Sequence, residues 1–510
     1  MILEKTNLNE KRESDNYEHE RESEYKGTVA KWSPSGIWWK DFLYFVGPGW
    51  FVSIAYVDPG NYQADIQAGA LSRYSLLCII WWTSLLSIYV QVLCVRLSYY
   101  SGLTLAEVQA KYSPDTWSRY LNWFLAELST VITDLPTVIG IGIACQIFFG
   151  WPYYVGILFS LLTTMVFLLT LHYSTRILET IVMLFIAIMS IALFIEMDFV
   201  GVNGKELVEG WAFGFKNLTS KDFFSITGVV GAVVMPHNLY LHSAACQSRS
   251  FAKEHVEKAV FWSSIEPIVP ILVSFFINLA VVSISAERVN GINEAGDVGL
   301  TNFCEYFEKL ISGCTLWGIA LLAAGQSSAI TTTYTGQYVM DGFLNIQLPV
   351  KIRALITRLV AISPCVLVSV LLPNHLNRMV NIVNASLSFL LPFAFTPLVK
   401  YNCCETVMGK YATKGWGKTM LYFFAFLVWL VNAVGLSVEG GGFFGDLRAN
   451  MTDQTSMGTK ISITATEIVI QVFYVSWNWK CVRSDTTQIE QSQEIEPIDD
   501  EVDTRDQELL

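Results

Sequence analysis

Two stretches interrupt apolar runs in the same way: Tyr56–Tyr62 reads Y-V-D-P-G-N-Y, and Val234–Tyr240 reads V-M-P-H-N-L-Y. In each, a proline is followed two residues later by an asparagine, Pro59/Asn61 and Pro236/Asn238. Proline lacks an amide donor and clashes with the preceding turn, so both helices are expected to break at membrane depth. Non-helical backbone persists there only where protein or a polar cavity surrounds it. Asp58, Asn61, Met235 and His237 stand beside the breaks. A carboxylate, an amide, a thioether and an imidazole gathered at such a place point to a site for a metal cation.

The surrounding chain supports a membrane setting. It has 510 residues, 52% hydrophobic and 15% charged, with mean hydropathy +0.41, whereas soluble domains carry about 25% charged residues. About twelve apolar runs of roughly 20 residues, from Phe42–Val57 to Ile461–Trp477, fit bilayer spans. They leave no room for a large soluble domain. Residues 1–40 and 481–510 are expected to be disordered cytosolic tails, the second strongly acidic. The N-terminus has none of the pattern of a cleaved signal peptide.

Twelve spans put both ends on one side. Lysines and arginines favour the loops on that side modestly, so both termini are expected to be cytosolic. Sequons at Asn217 and Asn450 then fall in outward loops as glycosylation candidates. A third, at Asn384, lies inside a span and should be unusable. The ten cysteines are scattered and show no C-x-x-C. Buried free thiols are the expected state, and Cys304 and Cys314, flanking an outward segment, are the pair that could join. No zinc or haem site is indicated.

The broken spans are the first and the sixth. Five spans separate equivalent points, and an odd number inverts the second unit relative to the first. This is the pattern of an inverted-repeat transporter, with its binding site at the midplane where two discontinuous helices meet. Repeats of about 41–200 and 222–400 would form a ten-helix core, with two peripheral spans in 401–480. Two ordinary proline kinks are the bland alternative. Two matching breaks, each carrying metal-competent side chains, weigh against it.

A carboxylate at the bilayer centre costs about 2.5–3.5 kcal/mol on insertion scales, so Asp58 needs a compensating role. Asp58 can cap the half-helix after the break and also bind a cation together with Asn61 and freed carbonyls. Thioether sulfur favours softer transition metals over Mg²⁺ or Ca²⁺, so Met235 points to Mn²⁺ or Fe²⁺. His237 and His242 suit metal ligation or proton relay. Relay is the preferred reading, because two imidazoles plus a carboxylate would hold a transition metal too tightly for rapid release.

The chain resembles the natural resistance-associated macrophage protein (NRAMP) family of proton-coupled divalent metal transporters. The resemblance rests on D-P-G-N at Asp58–Asn61, M-P-H-N at Met235–Asn238, the stretch Gly325–Phe343, and L-P-F-A at Leu391–Ala394. It implies a leucine-transporter-like fold with 5+5 inverted repeats, broken helices 1 and 6, and about twelve spans, all α. It implies metal ligands at Asp58, Asn61 and Met235, carbonyl ligands at Ala232 and Ala55, and a metal-reaching amide at Asn384. It implies a proton path through Asp58, His237, Asp134, its partner Arg358, and Glu127. One position departs from the family: Thr137 stands where a second acid usually follows the Asp134 equivalent, which puts the proton route in question.

The resulting expectation is a secondary transporter bringing Mn²⁺ or Fe²⁺ into the cytosol by alternating access with protons, with no cofactor. Its partners would be the metal, protons and the bilayer, with no nucleic acid and a monomeric transport unit. The alternatives are an uncoupled divalent-metal uniporter or a non-transporting metal sensor. A sensor would call for a large output domain, and only 30 residues follow Lys480. Carriers of Mg²⁺ or amino acids would not need Met235 beside Asp58. An enzyme is not expected, since no triad, loop-exposed nucleophile or cofactor motif is present. Plasma and endosomal or vacuolar membranes both remain candidates, the terminal D-Q-E-L-L being compatible with a sorting signal.

Overall fold

The computed structural model describes residues 32–170, 184, 187, 190, 191, 193–219, 222–292, 295–307, 313–346, 350–437 and 457–484. The Asn450 sequon, the first 31 residues and the tail beyond Ser484 lie outside the described residues. The first broken helix comprises α1 (Trp38–Phe45), α2 (Pro48–Ser53) and α3 (Pro59–Ser72). Then come α4 (Leu77–Ser101), α5 (Leu105–Lys111), α6 (Thr116–Phe149), α7 (Tyr153–Thr170) and the short α8 (Gly204–Phe213). The second broken helix is α9 (Phe223–Val234) plus α10 (Pro236–Cys246). It is followed by α11 (Val256–Ile265), α12 (Ile268–Arg288), α13 (Gly313–Leu344), α14 (Val350–Leu371) and α15 (Leu376–Asn402). Last are α16 (Gly415–Ser437) and α17 (Met457–Arg483).

Among the described residues, seven helices are long and apolar enough to cross a membrane, and Pro48–Val57, Tyr153–Val166 and Leu355–Leu371 are shorter apolar helices. The chain is an all-α polytopic membrane protein built as a leucine-transporter-like bundle. Packing order begins earlier than the expected boundary at residue 41. Trp32 is buried against Phe45 and donates its amide to the Ser250 carbonyl at 2.9 Å, because a tryptophan next to an apolar helix end buries its ring on folding.

Both prolines act twice. Pro59 and Pro236 end the preceding helical hydrogen bonding, and each occupies the first turn of the next half-helix, where a missing amide costs nothing. The two breaks differ in form. At the first, the chain unwinds through a 3₁₀ turn at Ile54–Val57 to extended Asp58 (φ −81°, ψ 168°). At the second, the whole reversal falls on Met235, at φ 31° and ψ 113°.

The half-helices are held from both sides. On the N-terminal side of α2, Glu266 accepts from the amides of Gly47 (2.9 Å), Gly49 (2.6 Å) and Trp50 (3.1 Å). Arg249 donates to the Val46 carbonyl at 2.6 Å. At the far end of the broken helix, Gln63 Oε1 on α3 accepts from the Leu300 amide at 2.9 Å, and Gln67 donates to the Gly296 carbonyl at 3.2 Å. The same segment leads into a Cys304–Cys314 disulfide, with Cα atoms 4.8 Å apart. This is the pair that the sequence leaves open to join, and it departs from the free-thiol state expected of the cysteines in general. The other eight cysteines form no disulfide, and six of them are buried.

Candidate metal site

The first break folds its own side chains inward. Asp58 caps α3, its Oδ1 accepting from the Asn61 amide at 2.7 Å and from Asn61 Nδ2 at 3.0 Å. Asn61 Nδ2 also donates to the Ala55 carbonyl at 3.0 Å. That carbonyl has no helical amide to bond, for a structural reason. In an α-helix the oxygen of residue i bonds the amide of residue i+4, and four residues after Ala55 comes Pro59, which has none. Ala232 stands in the same relation to Pro236. The two alanines are therefore the residues whose helical acceptors the prolines strand.

Asn384 on α15 closes the site from a third direction. Its Nδ2 donates to the Gly60 carbonyl at 2.8 Å. A Cβ on Gly60 would lie 3.0 Å from Asn384 Oδ1 and 3.2 Å from Asp58 Oδ1, so glycine leaves the amide and the carboxylate room to approach there. Gly231 does the same for α9: a Cβ would meet the Asn384 carbonyl at 2.0 Å, so the helix lies directly on the α15 backbone. Ala232 follows on the same helix and Met235 caps its end, both 0% exposed.

Three oxygens here lack hydrogen-bond partners: Asp58 Oδ2, Asn61 Oδ1 and Asn384 Oδ1. All three residues are about as buried as a side chain can be, at 1% exposure. Buried polar atoms are normally satisfied, so sealed, unpartnered oxygens on three side chains tied together at one break are candidates for a ligand. Among the described residues no group of three His, Cys, Asp or Glu gathers to hold a metal. The candidate donor set is thus one carboxylate with neutral oxygens, and Met235 caps the helix whose Gly231 packs on the Asn384 backbone.

The expected proton-path residues separate into two clusters on α6. Asp134 Oδ1 lies 3.0 Å from Arg358 Nη1 of α14, both side chains 1% exposed, and accepts from Thr332 Oγ1 at 3.0 Å. The guanidinium N–H groups of Arg358 make no hydrogen bond, so this contact is a charge pair whose donors point off the acceptor. Glu127, two helical turns earlier, pairs instead with Arg353 of α14. His237 Nδ1 meets Thr133 Oγ1 at 3.2 Å, next to Asp134, while its Nε2 is unpartnered. Thr137 is fully buried and donates to Ser328 Oγ at 3.0 Å. The position expected to hold an acid is a closed hydroxyl pair.

Several participants escaped the sequence reading. Gln91 donates to Tyr56 Oη at 2.9 Å and meets His242 Nδ1 at 2.7 Å, joining the first break to α10. Arg353 and Glu266 were missed as partners too. The available signal was a polar or ionisable residue inside an apolar span, which the membrane tolerates only with a partner. The Asn217 sequon is exposed beyond α8, whereas Asn384 is buried and unavailable for modification.

The comparisons with known proteins give the chain's family. Residues 49–437 match the family described as natural resistance-associated macrophage protein-like. "Metal transporter Nramp2" of Populus trichocarpa is 38% identical over 77% of this chain and 75% of its own. The Arabidopsis thaliana protein of the same name is 37% identical over 78% and 77%. A crystal structure of a manganese transporter from Eremococcus coleocola superposes with a TM-score of 0.78 at 25% identity, covering 91% of this chain and 98% of that one. The chain belongs to the natural resistance-associated macrophage protein-like family.

Proposed function

We propose that this protein imports divalent transition-metal ions, Mn²⁺ or Fe²⁺, into the cytosol by alternating access in symport with protons. The observation that carries the reading is that Asp58, Asn61 and Asn384, each with one unpartnered buried oxygen, gather at the first break, where Asn61 donates to Asp58 Oδ1 and Asn384 donates to the Gly60 carbonyl. Asp58 and Asn61 supply charge and oxygen, the stranded carbonyls of Ala55 and Ala232 add neutral donors, and Met235 biases the set toward softer cations. Asn384 reaches the cation directly or through water. The metal relatives named above support the same substrate class.

Alternation is supported by the closures at both ends of the broken helix. The Glu266 clamp holds α2, and the Gly296–Leu300 segment rests on Gln63 and Gln67. A carrier needs two such barriers that open one at a time. For protons, Asp58 and the His237–Thr133–Asp134–Arg358 series offer titratable groups leading away from the metal. The Glu127–Arg353 pair lies farther along the same helix.

Uncoupled uniport is the second reading, favoured by Thr137 sitting where the family's second acid is expected. One experiment separates the two. Purified protein in liposomes should take up Mn²⁺ faster under an inward acid gradient, with the vesicle interior acidifying as metal enters. Uptake without acidification establishes uniport. Binding without uptake establishes a sensor.

A further inference from the structure

The two breaks correspond residue by residue. Ala55, Asp58, Pro59 and Asn61 recur, at one constant spacing along the chain, as Ala232, Met235, Pro236 and Asn238. Three of these pairs already have work: two stranded carbonyls, two side chains offered to a cation, and two prolines that start half-helices. The fourth pair is unequal. Asn61 is fully engaged at its nitrogen, with the Ala55 carbonyl and Asp58 Oδ1. Asn238 is 0% exposed, and neither its Oδ1 nor its Nδ2 has a partner.

A buried carboxamide with both ends empty forfeits every hydrogen bond it had in water. Native proteins keep such a group where a ligand or an ordered water completes it. Asn238 occupies the first turn of α10 in the same register from Pro236 that Asn61 holds from Pro59. The half-helices also pack crosswise, α3 against α9 and α10 against α2. Both first turns therefore adjoin the crossing of the two breaks.

We propose that Asn238 is a further metal-facing residue, its carboxamide oxygen completing the shell of the transported cation directly or through one water. The inference rests on the metal-site reading above. An amide suits this place. It adds a neutral oxygen opposite the single carboxylate without a second charge, which keeps the cation releasable and disfavours ions that require more anionic shells.

The test uses the full chain in detergent for Mn²⁺ calorimetry and in liposomes for uptake. Asn238→Ala should raise the Kd and KM for Mn²⁺ about tenfold, the size associated with losing one supporting group at a metal site, with kcat little changed. Asn238→Asp keeps an oxygen at the position, so it should restore Mn²⁺ affinity and let Ca²⁺ compete. If Asn238→Ala binds Mn²⁺ like the unaltered protein, the assignment is overturned. It is equally overturned if the Ala and Asp variants both lose kcat and yield at unchanged KM, since that marks a packing residue. Should the Ala variant fail to fold, Asn238→Ser, which leaves a hydroxyl in place, is read by the same criteria. Asp58→Ala run in parallel separates the levels. Retained binding there removes the underlying site and this proposal with it, whereas lost binding alongside a silent Asn238→Ala removes only the role of Asn238.

Discussion

Asp134 on α6 and Arg358 on α14 face each other at 3.0 Å with both side chains sealed from solvent. The carboxylate has one hydrogen-bond donor, Thr332, and its Oδ2 has none. Removing one partner of a buried pair leaves a charge with nothing to balance it, whereas removing both can be nearly neutral. Arg358→Leu should therefore destabilise the fold by about 3–5 kcal/mol. The double variant Asp134→Asn/Arg358→Leu should recover most of that stability without recovering acid-stimulated uptake. Thermal unfolding in detergent together with Mn²⁺ uptake at two pH values checks this. Full uptake by the double variant would show the pair to be purely structural.

Asp58 is the only carboxylate among the proposed ligands. Asp58→Ala removes the charge, the α3 cap and the partner of Asn61 Nδ2 together. Loss of the cap costs about 1 kcal/mol, which a folded membrane bundle tolerates. Loss of the only anionic ligand should abolish measurable Mn²⁺ binding by calorimetry. Normal transport by this variant would rule out the site.

Met235 carries the selectivity. Met235→Ala leaves every oxygen donor in place and removes the soft one. Mn²⁺ uptake should fall severalfold in apparent affinity, and Ca²⁺ or Mg²⁺ should compete better than in the unaltered protein. The check is Mn²⁺ uptake against increasing Ca²⁺. Unchanged competition curves would mean that the thioether faces away from the cation.

Glu266 anchors the first half-helix through three amides. A carboxylate at a helix N-terminus makes charge-assisted hydrogen bonds and meets the positive end of the helix dipole. Glu266→Gln keeps the shape but offers one oxygen acceptor and no charge. A loss of about 1–3 kcal/mol at this contact is expected. It should appear as faster hydrogen exchange at Gly49 and Trp50, with the amides of α3 unaffected. Unchanged protection at those two amides would show that α2 is held by packing alone.

The chain's local chemistry determined much of this protein. Pro59 and Pro236 break their helices and strand the Ala55 and Ala232 carbonyls because the missing amide is written into the sequence itself. The apolar runs, the two P-x-N registers and the motif residues Asp58, Asn61 and Met235 are legible for the same reason: each depends on atoms only a few residues apart. Tertiary structure decided the partners, of which the family resemblance implies only Asp134–Arg358 and the sequence leaves Cys304–Cys314 open. Glu127 meets Arg353 while Asp134 meets Arg358, although both arginines lie on α14 and either pairing suits the charges. Asn384 reaches the Gly60 carbonyl, Glu266 clamps Gly49, and Cys304 joins Cys314. The long-range choices follow from the rotation and register of one helix against another. Those are set by close contacts such as Gly231 on the backbone of Asn384, and no short stretch of sequence encodes them.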